Sequence, residues 1–388
     1  MTLLQAQPQA TASPTASPTA SPTAVSAAPV VAPSRALVGL GPNWFATVMG
    51  TGIVANAAAT LPVGFPGLLP VARGIWVLDC LLLVGLTSTL LVSWRRHPGS
   101  CRHHLDDPAM AHFYGAPAMA LLTVGAGALL LGESLIGSVA ALLLAGALWS
   151  AGTVLGVVTA VAVPYRAFTS HRVAADSAFG GWLMPVAAPM VSAATGPLLI
   201  ARLPVGDLRL NLQLLCLMLF GLSLVASMMV ITLLWSRLMH HQVGAAAAVP
   251  TLWIALGPLG QSITASHTLA VTAPTSLPAP YGAATATLDV LFGVPMWGFA
   301  MLWLALAVSL TVRAARSGPG GLPFTLGWWS FTFPVGTLVT GTSGLAAATG
   351  ATSLAAVAVL GYAVLVAAWI VVAARTASGL RDRSLLAR

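Results

Sequence analysis

The sequence predicts an all-α polytopic membrane protein with ten transmembrane helices, paired as five helical hairpins around a central pore. Three observations predict it. Of 388 residues, 57% are hydrophobic and only 6% charged, whereas about a quarter of a soluble domain is charged. The apolar residues lie in long runs, and a helix needs roughly 20 such residues to cross a hydrocarbon core about 30 Å thick. Helix-breaking residues fall in alternate runs at a regular interval. The runs are too long and too little alternating for barrel strands. Three cysteines, aperiodic glycine and a +8 charge spread along loops exclude a disulfide scaffold, a collagen-like chain and a nucleic-acid binder.

Residues 1–34 precede the first run, and the repeat TASPTASPTASPTA from Thr11 to Ala24 offers no apolar face to bury. A disordered cytoplasmic tail is expected there. With no basic n-region and no apolar h-region before Arg35, a secretory signal is not expected. The transmembrane domain is expected over 35–375, followed by a basic cytoplasmic tail over 376–388.

The first span, 43–61, contains Gly50, Thr51 and Gly52. The second, 71–94, is rich in Leu and Val, carries Asp79, and stops at Arg95 and Arg96. Pro117 interrupts the third, 111–132. The fourth, 134–162, is again mainly Leu, Ala and Val. Pro185, Pro189 and Ser192 mark the fifth, 180–201. The sixth, 210–239, is plain. Gly257, Pro258, Gln261, Ser262 and His267 fall in the seventh, 249–273. The eighth, 283–312, holds Asp289 and Pro295. Trp329, Thr332, Phe333 and Pro334 lie in the ninth, 324–347, and the tenth covers 352–374.

From Pro117 to Pro189, Pro258 and Pro334 the step is about seventy residues, one helical hairpin. Five such units suit a ring with the broken odd helices inside and the plain even helices toward lipid. A helix-interior Pro frees the carbonyl four residues earlier, here those of Phe113, Gly181, Ile254 and Ser330, and hydrocarbon cannot satisfy it. Those carbonyls are expected to face a polar lumen or a neighbouring helix.

All 16 basic residues are Arg. With the N-terminus inside, thirteen fall on the cytoplasmic side, and only Arg73, Arg202 and Arg209 lie outside. That asymmetry places both termini in the cytoplasm of an inner (plasma) membrane protein. Cys80 and Cys216 lie within spans and Cys101 in a cytoplasmic loop, so no disulfide is expected.

Four stretches resemble the tellurite-resistance/dicarboxylate transporter family, which includes malic acid permease, sulfite efflux pumps, tellurite-resistance channels and plant slow anion channels. Phe45 to Ile53 is similar to its FxxVMGTGI opening, Trp182 to Val191 to its WLLPVVPxVV segment, Gly257 to Gln261 to its GPxGQ element, and Trp328 to Pro334 to its WWxFTFP signature. The resemblance spans about 43 to 375. It implies five hairpins around a pore, commonly a homotrimer with one pore per subunit, and a pore-occluding Phe at Phe333. Where family members often carry His-Pro, this chain has Asp107-Pro108.

Helical geometry adds that Phe333 shares a face with Trp329, whereas Phe331 points the opposite way with Trp328. Beside Pro334, an aromatic ring can gate by dewetting; the alternative is that Phe333 is ordinary core. The expected pore lining is Gly50, Thr51, Gly52, Pro117, Pro185, Pro189, Ser192, Gly257, Pro258, Gln261, Ser262, Trp329, Thr332 and Pro334. No Arg lies deep in a span, so attraction for an anion is expected from helix N-termini and hydroxyls. Those hydroxyls can instead bond back to their own helices.

Asp289 and His267 are candidates for proton handling, as the outer end of the seventh helix adjoins the eighth; alternatively the Asp is hydrogen-bonded between helices and His267 is interfacial. The His103/His104 and His240/His241 pairs are adjacent in sequence and do not converge on a metal. No HExxH, GxSxG or paired carboxylates within one helix occur, so no enzyme and no cofactor is expected. The function expected is transport of a small anion, foremost a C4-dicarboxylate such as malate or succinate. A passive small-anion channel or a tellurite or sulfite exporter is the alternative, and a membrane scaffold the non-transport one.

Overall fold

A computed structural model describes residues 41–96, 99–171, 173–317, 321–382 and 384–385. The expected tail over 1–34 lies outside the described residues. The helices are α1 (Phe45–Thr60), α2 (Leu68–Arg96), α3 (Ser100–Asp106), α4 (Gly115–Gly127), α5 (Glu133–Ile136), α6 (Ser138–Thr169), α7 (Leu183–Ile200), α8 (Asp207–His241), α9 (Leu256–Ser276), α10 (Tyr281–Arg316), α11 (Phe333–Thr349) and α12 (Thr352–Arg381). A π-helical turn over Ala128–Gly132 joins α4 to α5. Gly137, at φ +83°, turns the chain into α6. The expected end of the last span at 374 falls inside α12, which runs on to Arg381.

Among the described residues, eight helical segments are long and apolar enough to cross a membrane. α1 and α11 are not among them. They carry Thr, Gly and Asn in place of Leu and Val, and they are buried along nearly their whole length. Shielded from lipid, they have no need of lipid-compatible side chains.

Burial separates the helices by parity. In their most apolar stretches, α2, α6, α8, α10 and α12 bury only 17% to 33% of residues, whereas the segments containing α4, α7 and α9 bury 67% to 89%. α1 packs on α4, α4 on α7, α7 on α9, α9 on α11, and α11 returns to α1, closing an inner ring in chain order. Each outer helix lies over the seam between two inner ones: α2 over α1 and α4, α6 over α4 and α7, α8 over α7 and α9, α10 over α9 and α11, α12 over α11 and α1. Outward-facing Leu81, Val84, Leu143, Val154 and Leu360 are exposed, as lipid-facing residues are.

Indole N–H groups tie the layers together. Trp76 on α2 donates to the Val124 carbonyl at 3.1 Å, Trp149 on α6 to the Ser192 carbonyl at 3.0 Å, Trp297 on α10 to the Thr342 hydroxyl at 3.0 Å, and Trp369 on α12 to the Thr51 hydroxyl at 3.1 Å. On α8 the amide of Gln213 does the same, donating to the Leu269 carbonyl at 3.1 Å. A buried indole requires such a partner.

The prolines correct the reading of mid-helix breaks. Each inner helix is preceded by a 3₁₀ segment: Pro42–Trp44, Met110–Tyr114, Gly180–Trp182, Ala246–Ala255 and Leu326–Phe331. Pro117, Pro185 and Pro258 are the third residues of α4, α7 and α9, and Pro334 the second of α11. In the first turn of an α-helix the amide has no intrahelical acceptor, so the missing N–H costs nothing and the fixed φ helps start the helix. These prolines therefore begin α-helices where 3₁₀ segments end. Pro189 is inside α7 as expected.

Candidate functional site

Three cavities lie in succession inside the inner ring. The first, of about 40 Å³, is at the 3₁₀ end and is lined by Met49, Met119, Met184, Pro258, Trp329 and Phe333, among others. The second, of about 70 Å³, takes residues from all five inner helices, including Asn56, Thr123, Thr195, Gln261 and Thr340. The third is a vestibule of about 370 Å³ at the opposite end, with Arg202 and His267 in its wall. Thr60, Leu130, Leu198, Thr264, Thr268 and Thr340 line both the second and the third, so these two adjoin. The first and second share no lining residue. On α1 the wall passes from Met49 to Ile53 and on α9 from Pro258 to Gln261, so about one helical turn, roughly 5 Å, separates them.

Phe333 is buried at 3% exposure on the wall of the first cavity, one turn from Trp329, whose indole donates to Thr376 at 3.1 Å. Phe331 faces away, edge-on to Trp253 at 5.0 Å and to Trp328 at 5.6 Å between ring centroids. The two phenylalanines thus occupy opposite faces. The first cavity also sits at the α-helical N-termini of the inner ring, because Ala46, Met184, Gly257 and Pro334 all lie in first turns and all line it.

Of the expected lining residues, Gly257, Pro258, Trp329 and Pro334 border the first cavity and Gln261 the second. Gly50, Thr51, Gly52, Ser192, Ser262 and Thr332 make packing or hydrogen-bond contacts. A Cβ on Gly50 would meet Thr332 Oγ1 at 2.3 Å and the Trp329 ring at 2.6 Å, and one on Gly52 would meet Asp79 Oδ2 at 2.2 Å. These glycines let α1 approach α11 and α2. Thr51 accepts from Trp369; Ser192 accepts from Thr153 at 2.9 Å across to α6; Ser262 and Thr332 donate to the carbonyls of Leu259 and Trp329. Pro117, Pro185, Pro189, Ser192, Ser262 and Thr332 border none of the three cavities. Sequence reasoning missed Asn56 and the threonines of the second cavity; a polar residue every helical turn on the inner helices was the available signal.

The vestibule brings His267 and Asp289 together. Asp289, 3% exposed, accepts from His267 Nδ1 at 2.9 Å and from Ser266 Oγ at 3.0 Å. Arg202 forms an ion pair with Glu133 at 2.8 Å. Asp79 is fully buried behind Gly52, and neither of its carboxylate oxygens has a hydrogen-bond partner among the described residues. Although both Asp residues belong to outer helices, both point inward.

Residues 39–377 match the sequence profile of the voltage-dependent anion channels. The chain is 28% identical to a sulfite efflux pump of Arthroderma otae over 79% of its length and 82% of the pump, and 27% identical to a sulfite efflux pump of Trichophyton rubrum over the same shares. It is 26% identical to an uncharacterized transporter of Methanocaldococcus jannaschii over 77% of this chain and 81% of that one.

Proposed function

Since the chain belongs to the voltage-dependent anion channel family, we propose that it passes a small oxyanion of the sulfite class across the membrane along the axis of the inner ring. Membership makes it a multi-pass membrane transporter of anions and not an enzyme. The observation that carries the finer reading is the alignment of three cavities along that axis, interrupted by one turn of wall at the level of Phe333. The positive ends of the inner helix dipoles surround the first cavity, which supplies attraction without a buried cation. Phe333 is the gate in this reading, and Gly257, Pro258, Gln261, Trp329 and Pro334 are its pore wall.

Relatives that are sulfite efflux pumps support sulfite over malate or succinate. So does the second cavity, whose wall contains no charged residue to clamp two carboxylates. A C4-dicarboxylate is the second reading. The His267–Asp289 pair handles protons at the vestibule. Ten spans, both termini in the cytoplasm of the plasma membrane, and a homotrimer with one path per subunit complete the proposal, supported by the arginine asymmetry, the family pattern and the apolar outer faces.

The test is flux into proteoliposomes of the purified chain, comparing sulfite, nitrate, chloride and labelled malate, with and without a pH gradient. Sulfite and nitrate flux that follows the electrochemical gradient is the expected result. Accumulation of malate driven by the pH gradient, with sulfite excluded, would overturn it in favour of the dicarboxylate reading.

A further inference from the structure

The second cavity has an unequal inventory of hydrogen-bond donors and acceptors. A threonine hydroxyl has one hydrogen to give and lone pairs to accept with. Thr123 gives its hydrogen to the Met119 carbonyl at 2.7 Å, Thr195 to the Val191 carbonyl at 2.8 Å, and Thr268 to the Ala194 carbonyl of the neighbouring helix at 3.0 Å. Thr60 donates to the carbonyls of Asn56 and Ala57. Thr264 and Thr340 lie 2.8 Å apart, so one donates to the other, and the hydrogen of the second goes to a carbonyl, that of Gly260 for Thr264 at 3.1 Å or of Thr337 for Thr340 at 3.0 Å. With their hydrogens directed into the protein, these hydroxyls turn lone pairs to the cavity.

Two amides balance them. Asn56 and Gln261 are each 5% exposed and line the cavity. Asn56 gives one amide hydrogen to the Thr123 carbonyl at 3.0 Å and keeps the other. Both Asn56 Oδ1 and Gln261 Oε1 are buried without a partner among the described residues. The cavity therefore holds many acceptors and few donors, and no ionisable side chain lines it. Titratable groups on the elements packed around it include Asp79 behind Gly52, the His267–Asp289 pair and, at the vestibule, Arg202 with Glu133. A bare dianion would set two charges against lone pairs on most sides. A species that brings its own O–H would satisfy them, while its charged oxygens accept from Gln261 and Asn56.

Building on the transport reading above, we propose that the middle cavity accepts the singly charged, hydrogen-bearing form of an oxyanion, such as hydrogensulfite, and excludes the fully ionised dianion.

The experiment uses the full chain in liposomes. Sulfite flux is measured at pH values on both sides of the hydrogensulfite–sulfite interconversion, with the rate in protein-free vesicles subtracted. Nitrate, which carries no hydrogen throughout, is followed in parallel. The expected sulfite rate, normalised to nitrate, rises in proportion to hydrogensulfite as pH falls. Thr264→Val with Thr340→Val, nearly isosteric, lowers sulfite flux about tenfold, the equivalent of one lost hydrogen bond, and lowers it more than nitrate flux. A normalised rate that is flat or follows the dianion overturns the proposal in the unmodified chain alone, whether or not the variant folds. Equal losses of sulfite and nitrate overturn it as well. Absence of flux for both anions defeats the transport reading itself, a result distinct from flux with the wrong pH dependence.

Discussion

The imidazole Nδ1 of His267 lies 2.9 Å from Oδ2 of Asp289, joining an inner helix to an outer one at the wall of the vestibule. Asp289 is buried, so the contact fixes the ring from behind while the rest of it borders the cavity. The other charged groups at the mouth are Arg202 and its partner Glu133. The proton-handling role proposed for the pair predicts that His267→Gln changes the pH profile of nitrate flux from the vestibule side. Nitrate currents recorded while that side is titrated check this, and an unchanged profile removes proton handling from His267.

Asp289→Asn keeps the size of the side chain but removes the carboxylate that holds both His267 and Ser266. Losing well-made buried hydrogen bonds costs about 1–3 kcal/mol. A lower melting temperature in detergent is expected, together with a weakened pH response of nitrate current.

Phe333→Ala is expected to raise anion flux about tenfold or more, equivalent to about 1.4 kcal/mol off the barrier. Phe331→Ala is expected to leave flux unchanged, since Phe331 packs against Trp253 and Trp328 on the opposite face. Removing a buried Phe also costs about 3–5 kcal/mol of stability, so Phe333→Ala should conduct more while melting earlier. Equal fluxes in the two variants would end the gate assignment.

Glycine substitutions divide by what an added Cβ would meet. A Cβ on Gly180 would stand 1.7 Å from the Thr251 carbonyl oxygen, and one on Gly115 2.3 Å from the Met184 carbonyl oxygen, both backbone atoms. Gly180→Ala and Gly115→Ala are expected to lose at least about 1–3 kcal/mol through overpacking. Gly74 and Gly85 on α2 have nothing within 4 Å of an added Cβ, and Ala there is expected to gain about 0.5–1 kcal/mol as a better helix former. Gel-filtration profiles after heating distinguish the two groups.

Trp149→Phe keeps the ring but leaves the buried Ser192 carbonyl without its indole donor. A loss of about 1–3 kcal/mol is expected. Thermal melting compared with that of an exposed variant, Leu143→Ala, checks it.

The parity of the helices was legible because an inner helix, shielded from lipid, carries Pro, Gly and Thr more densely than an outer one; Pro117, Pro258 and Pro334 marked it at once. The opposed faces of Phe331 and Phe333 followed from 100° per residue. What the prolines do at those places was not legible, because a 3₁₀ segment leading into an α-helix leaves the same sequence trace as a break. Gly50 and Gly52 read as pore wall because a missing side chain looks alike whether it makes room for an ion or for a neighbouring helix. The contact of His267 with Asp289 was foreseeable from hairpin adjacency. The direction of each threonine hydrogen was not, since it depends on which carbonyl lies within reach.

The indole bonds have a consequence for how the molecule can move. α2 is tied to α4, α6 to α7, α10 to α11 and α12 to α1, and every outer helix bridges a seam of a closed ring. No plane through such a structure separates two bodies that could rock against each other, as the repeats of an alternating-access carrier do. Any cycle that opens one end while sealing the other would have to break indole bonds and glycine contacts around the whole circumference. In the gate reading proposed above, opening then falls to rotation of individual side chains about a fixed frame.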